Sequence, residues 1–239
     1  MTLRRIDQWL SLLGYCSRAE SRGFLKKHLV FEGESRILDP SKKVSLHITI
    51  DNEPLDHPLG LVLLMNKPAD VVCSQSEQEG QRVFDLLPER WQKRQMALQT
   101  VGRLDKDTTG TLILTDQGPW IHKWCHPKAH FKKTYLVHYE GELHQEAQSL
   151  WASGSWILPG EKEPCLSAEL ELLGDHRARL TLQEGRYHQV KRMFAALGAP
   201  VIGLHRERFG PWSADYLQPG QWEILPLDQV IVDTQNIKI

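Results

Sequence analysis

Apolar residues recur along this chain at two different periods, and the switches between them mark its elements. Over "RRIDQWLSLL" (4–13), Ile6, Trp9, Leu10 and Leu13 fall at helical spacing, and Gly14 ends the run. A second helix is predicted over "CSRAESRGFLKKH", with Ser17 as N-cap and Glu20 as its capping-box partner. "LVFEGESRI" reads as two short strands turning at Glu32-Gly33, and "KVSLHITIDNEPL" as another strand pair. "DHPLG" (56–60) reads as a linker. "LVLLMNKP" is then a continuous apolar run, as in a buried strand. "VVCS" predicts a short strand, "RVFDLLPERWQ" an amphipathic helical piece, and "TLILT" (111–115) a strand. Asp116 and Pro119 open the helix "PWIHKWCH". In "KKTYLVHYEG" (132–141), Tyr135, Val137 and Tyr139 alternate with Leu136 and His138, a strand pattern. "AELELL" and "ARLTLQEG" pair across Gly174-Asp175, and "WEILPL" is a late strand. "RYHQVKRMFAALG" is a helix, with Val190, Met193, Phe194 and Leu197 on one face and Gly198 past its end.

Strands outnumber helices and several pair locally, so the predicted class is α+β. A small N-terminal α/β module (1–58) precedes a larger domain (59–239) built on a mixed, mainly antiparallel sheet with flanking helices. Composition adds a charge asymmetry. The net charge of the 239 residues is -1, yet residues 1–50 hold nine Lys/Arg against five Asp/Glu, leaving about -5 for the rest. The second helix carries Arg18, Arg22, Lys26 and Lys27, and Arg4 and Arg5 precede the first. A solvated helix face is the ordinary reading of such a row. Because positives recur at Arg36, Lys42 and Lys43, the module also reads as an RNA-binding surface. The four cysteines are scattered with no C-x-x-C pair, no leader-like apolar segment opens the chain, and no stretch approaches the ~18 apolar residues of a membrane span. A reduced, cytoplasmic, soluble protein is expected.

Candidate chemistry is sparse. "HKWCHPKAH" gathers His122, Cys125, His126 and His130, but Pro127 ends the helix and no second ligand cluster follows, so no metal is expected there. Asp105, Asp107 and Asp116 have the carboxylates of a Mg²⁺-dependent nuclease, but a strand separates Asp105 from Asp116. Three polar concentrations remain. In "VGRLDKDTTG" (101–110), Arg103 and Asp105 are two apart and point the same way in an extended loop. A solvated turn is the bland alternative. In "KKTYLV" a tyrosine sits inside an apolar strand. In "EGRYHQVKRMF", Arg186, His188, Gln189, Lys191 and Arg192 crowd a helix start, with Lys191 and Arg192 off its apolar stripe.

These stretches, with "NKP" (66–68) and "LHRERFG", resemble the RNA pseudouridine synthases of the RsuA family, over almost the whole chain. The N-terminal module resembles the small RNA-binding domain named after a ribosomal protein of the small subunit. The Tyr-His-Gln form of the third motif is most similar to members that modify 16S rRNA. Three positions depart from the pattern: Asp70 stands where a Gly is usual, Thr111 opens the strand after the Asp loop, and "KKHLVFEGE" lacks a Gly between helix and strand.

The resemblance implies isomerisation of a uridine in 16S rRNA to pseudouridine, without cofactor or metal. Asp105 is then the catalytic carboxylate, as nucleophile or base. Lys191 is its first-choice cationic partner and Arg192 the second. Tyr135 stacks on uracil, and Arg103 fills the gap left by the flipped base. Arg186, His188, Gln189 and Lys67 complete the substrate site. The expected partner is ribosomal RNA in a partly assembled small-subunit particle, and the expected state a monomer. The alternatives are a synthase for large-subunit rRNA, a non-catalytic RNA-binding assembly factor, and the nuclease.

Overall fold

The computed structural model describes residues 3–126 and 131–234. The chain divides into two compact units, Met1–Leu61 with Phe84–Gln99, and Val62–Val83 with Thr100–Ile239. In the first, β1 (Arg4–Arg5) pairs with β4 (Lys43–Val44) and runs into α1 (Ile6–Leu12). Helix α2 (Ser21–Lys27) is followed by β2 (Val30–Glu32), β3 (Ser35–Arg36), β5 (Ile48–Ile50) and β6 (Glu53–Pro54), paired in the order β3-β2-β5-β6. Ile6, Leu10, Leu13, Leu25, Val30 and Ile37 form its core. Each fully buried side chain of this size is worth about 1.5–3 kcal/mol. Ser17 and Glu20 do exchange capping-box hydrogen bonds, but one turn ahead of the helix, which starts only at Ser21. No αL glycine is needed after α2, because His28 is extended and Asp51 takes the Leu29 N–H at 2.8 Å.

The segment 84–99 belongs to this first unit. Pro88 breaks the single helical piece expected there into a 3-10 turn (Val83–Leu86) and a short α3 (Glu89–Gln92). Its anchor is the buried Asp56, in the stretch read as linker. That carboxylate accepts from Trp91 Nε1 at 2.5 Å and lies 3.2 Å from Arg90 and 3.7 Å from Arg94.

The second unit is built on a sheet of eight strands among the described residues. They are β7 (Val62–Lys67), β8 (Gln99–Val101), β9 (Thr109–Thr115), β10 (Lys133–Tyr139), β11 (Glu169–Gly174), β12 (Arg177–Leu182), β13 (Val201–Phe209) and β14 (Trp222–Ile224). Their order is β11-β12-β10-β13-β9-β7-β14, with β8 on β9. The pairings along that path are antiparallel except β13 with β9. The α+β class read from the pattern is the class observed. β7 is buried at every position, as its unbroken apolar run requires. Helices α4 (Gly118–Cys125) and α7 (Leu227–Thr234) contribute Trp124 and Val230 to a core with Val62, Leu64, Ile113, Phe131, Phe209 and Trp212. Helix α5 (Ala147–Ala152) places Trp151 against Phe194 of α6 (Gln189–Ala196), ring centroids 5.0 Å apart. "VVCS" forms only an isolated bridge, Val72 to Arg82, because the chain turns at Asp70 (φ 64°) just before it. Asp tolerates that left-handed backbone better than most residues, which is why it serves where Gly is usual.

Candidate active site

The site assembles where the loop before β9 meets the start of α6. The Asp loop is held by its backbone. Thr108 N–H donates to Asp105 C=O at 3.1 Å, and Asp70 N–H to Lys106 C=O at 2.9 Å. Lys67, at the end of β7, is fully buried. Its ammonium donates to the carbonyls of Pro68, Lys106 and Thr108 at 2.9, 3.2 and 2.8 Å. Burial pushes its pKa below the usual lysine value, with Cys73, Asp107, Asp105 and Asp70 opposing the shift. The residue expected to touch substrate therefore spends its donors on the loop itself.

The exit of the loop is pinned from β13. His205 pairs in register with Thr109, and Arg206 with Gly110. Thr109 Oγ1 and His205 Nδ1 lie 2.8 Å apart, and His205 Nε2 is 3.1 Å from Asp215. Gly110 (φ 101°) leaves no room for a side chain, since a Cβ there would lie 2.4 Å from the Arg206 carbonyl. Thr111, opening the strand where an apolar residue is usual, is fully buried and satisfied: its hydroxyl donates to Glu207 C=O and accepts from Ala214 N–H, both at 2.9 Å. Buried Arg206 donates Nε–H to Thr111 C=O at 2.7 Å.

Asp105 lies between two groups from the other motif. One carboxylate oxygen is 3.3 Å from His188 Nε2, the other 3.2 Å from Lys191 Nζ. Lys191 also reaches Asp107, at 2.6 Å. Burial works against the Lys191 ammonium, but Asp107 and Asp105 outweigh it and raise the pKa. The Asp107 carboxyl is lowered chiefly by its hydrogen bond from Lys191. His188 takes a left-handed conformation (φ 49°, ψ 33°) at the N-cap of α6. Such backbone costs a non-glycine residue about 1–3 kcal/mol. The reversal lets His188 face Asp105 while Gln189 already enters the helix.

The remaining expected residues part ways. Arg192 turns from Asp105 to Glu161 (2.8 Å) and the Pro159 carbonyl (2.9 Å). Arg186 is bound by Glu184, Glu161 and the carbonyls of Glu163 and Pro164. Gln189 accepts from Arg186 N–H at 2.9 Å and donates to Glu184 at 2.7 Å. Arg186 and Arg192 brace the 159–164 loop against α6, and Gln189 ties the turn before the helix to Glu184. Tyr135 is buried on β10, opposite Leu180 and Arg206. Arg103 is exposed. Lys133, two residues before Tyr135, is pushed down to about 8 by burial and by repulsion from Arg206. In the first unit, Arg18, Arg22, Lys26 and Lys27 are exposed, whereas Arg4 lies over Trp9 and Arg5 pairs with Asp7 at 2.9 Å. Arg18 also nears Asp7, at 3.6 Å. The pairing of Asp107 with Lys191, the Thr109–His205–Asp215 chain and Glu161 were missed from sequence. Asp107 and Thr109 lie inside "VGRLDKDTTG" and His205 inside "LHRERFG", whereas Asp215 and Glu161 carried no signal. His122 and His126 have ring centroids 5.3 Å apart, and His130 lies outside the described residues.

A loop carboxylate held between an imidazole and an ammonium can act as nucleophile or base on a bound substrate. The family described as RNA pseudouridylate synthase matches residues 61–196. The chain is 39% identical over 232 residues to the ribosomal small subunit pseudouridine synthase A of Escherichia coli (strain K12), covering 95% of this chain and 98% of that protein. The protein of the same name from Pasteurella multocida (strain Pm70) is 36% identical over 230 residues, covering 95% and 97%. A solved pseudouridylate synthase structure superposes with a TM-score of 0.65 at 33% identity, covering 95% of this chain and 97% of that one. The loop that carries Asp105 is thus met by Lys67 from β7, His205 from β13 and Lys191 from α6, on a chain similar end to end to named synthases: it belongs to the RNA pseudouridylate synthase family.

Proposed function

We propose that this protein converts a uridine of small-subunit (16S) ribosomal RNA to pseudouridine, with Asp105 as the catalytic carboxylate. The observation that carries the reading is the placement of Asp105 between His188 and Lys191, at 3.3 and 3.2 Å. The names and end-to-end similarity of the relatives support the RNA target. The reaction is an isomerisation: the C1'–N1 bond breaks, the uracil turns, C1' bonds to C5, the C5 proton leaves and N1 gains one. Atoms balance without cofactor or metal. Asp105 serves as nucleophile or base in this exchange, and Lys191 holds it in place at 3.2 Å. Tyr135 stacks on the uracil, and Arg103 fills the space vacated by the flipped base. Lys67 acts by holding the loop, Arg186 and Arg192 by bracing the 159–164 segment, and Gln189 by fixing the turn that leads into α6.

The first unit is the RNA-binding module of this reading, with Arg22, Lys26 and Lys27 presented to phosphate. A flipped uridine requires an accessible helix, and a finished subunit buries most of its own, so the substrate is a partly assembled particle bound by a cytoplasmic monomer. The test compares naked 16S rRNA, an assembly intermediate and the mature subunit in one pseudouridine assay. The reading expects the intermediate to react best, with RNA length and mass unchanged. Equal reaction on mature subunits removes the particle assignment. Modification confined to large-subunit RNA removes the target, and a shortened RNA would favour a nuclease.

A further inference from the structure

Tyr187 is the residue the proposed mechanism leaves without a task. Its side chain is 78% exposed, unusual for a large aromatic so close to a buried motif. One face is nonetheless covered, since its ring stacks on His188 with centroids 3.8 Å apart and planes 21° from parallel. The same imidazole presents its Nε2 edge to Asp105 at 3.3 Å. The ring is therefore the outer layer of a stack whose inner layer touches the catalytic carboxylate.

The backbone around the ring is fixed on both sides. Arg186 is tied to Glu184 and to the carbonyls of Glu163 and Pro164, and Arg192 donates to the Tyr187 carbonyl at 3.2 Å. His188 holds its left-handed conformation directly after it. An aromatic ring with one face stacked, the other open and its backbone locked is preorganised to receive a flat partner at little entropic cost.

We propose that Tyr187 is a base-stacking platform that receives a nucleobase of the RNA next to the target uridine. The proposal rests on the reading of the site as a uridine isomerase. The target base must lie against Asp105, and Tyr187 covers the face of His188, not the edge that meets Asp105, so the base on Tyr187 is a neighbour of the target. A single-stranded neighbour exposes its π-face once the target is flipped out. Stacking on an aromatic ring accepts any base, so the platform adds affinity and register without reading sequence.

The test uses the full chain with 16S rRNA in an assembly intermediate. Tyr187→Ala is expected to raise KM about 5- to 150-fold, the range of one base–aromatic stack, with kcat moving less. Tyr187→Phe should keep the wild-type KM, because the π-face and not the hydroxyl makes the contact. Tyr187→Leu should behave like the alanine variant. Filter retention of the same RNA reads the contact without turnover, so its outcome stands even if the isomerase reading fails. An unchanged KM and affinity in Tyr187→Ala overturns the platform, as does a leucine variant equal to wild type. A fall in kcat at constant KM also overturns it, by assigning Tyr187 to the support of His188.

Discussion

Replacing Lys67 by methionine should damage the Asp loop from below, without touching any group that faces substrate. The substitution keeps the length and apolar stem of the side chain and removes three donors. The carbonyls of Pro68, Lys106 and Thr108, now at 2.8–3.2 Å from the ammonium, lose that donor, although the Lys106 carbonyl keeps the Asp70 N–H at 2.9 Å. Stripping a buried acceptor costs about 1–3 kcal/mol, so the gross loss over the other two is roughly 2–6 kcal/mol. Relief of the ammonium's desolvation returns part of this, leaving about 1–3 kcal/mol net. With a urea m-value of about 3 kcal/mol/M, the midpoint should fall by ~0.3–1 M. Activity should fall further, by ~10²-fold or more, because two of the three carbonyls flank Asp107, two residues from Asp105, and small misplacements of a reacting group are costly. Urea melts and single-turnover kinetics read the two effects separately. The sign with pH also follows. The folded-state pKa of Lys67 is depressed, so between that value and the usual lysine pKa the unfolded chain holds more protons and stability rises with pH. The stability gap between wild type and Lys67→Met should therefore widen as pH climbs through that window. An unchanged midpoint with near-wild-type turnover would refute the idea that Lys67 builds the loop.

Lys133 should titrate near pH 8 and not near 10.5, read from the pH dependence of its chemical labelling, and its contribution to stability should rise with pH between those values. A midpoint at the usual lysine value would contradict its burial beside Arg206. Thr109→Val, which removes only the hydroxyl 2.8 Å from His205 Nδ1, should lower kcat about 3- to 30-fold while Thr109→Ser restores it; equal rates for the two would remove His205 from loop support. Changing Arg22, Lys26 and Lys27 together to Gln should weaken RNA binding and reduce the salt slope of log K by about 2–3, and an unchanged slope would show that this helix face does not meet phosphate. Charge removal is a cleaner test than deleting residues 1–58, because deletion would also strip Trp91 of its Asp56 partner.

The Asp loop, the Tyr135 strand and the α6 motif were legible because their residue types and spacing are local properties. Lys191 and Arg192 are adjacent, and both lie off the apolar stripe of α6. What separates them is the position of Glu161, which captures Arg192 from a loop some thirty residues earlier. That capture is tertiary and leaves no mark in the helix pattern. Strand β13 escaped for a related reason. Its "HRER" core hides the period-two signal, because the fully buried member is an arginine held by the Thr111 carbonyl. The return of 84–99 to the first unit was hidden because Asp56 looks like an ordinary linker residue until Trp91, Arg90 and Arg94 surround it. Lys67 was placed in the right motif and given the wrong contact, since sequence cannot tell a buried ammonium from one that faces a groove.

The central claim is that the Asp105 carboxylate does the chemistry, and Asp105→Asn tests it most directly. The amide keeps the shape beside His188 and Lys191 but cannot serve as nucleophile or base. Pseudouridine formation in 16S rRNA, measured in single turnover at saturating RNA, should fall by at least ~10³-fold while RNA binding stays within a few-fold of wild type. Turnover near the wild-type rate in Asp105→Asn would contradict the account.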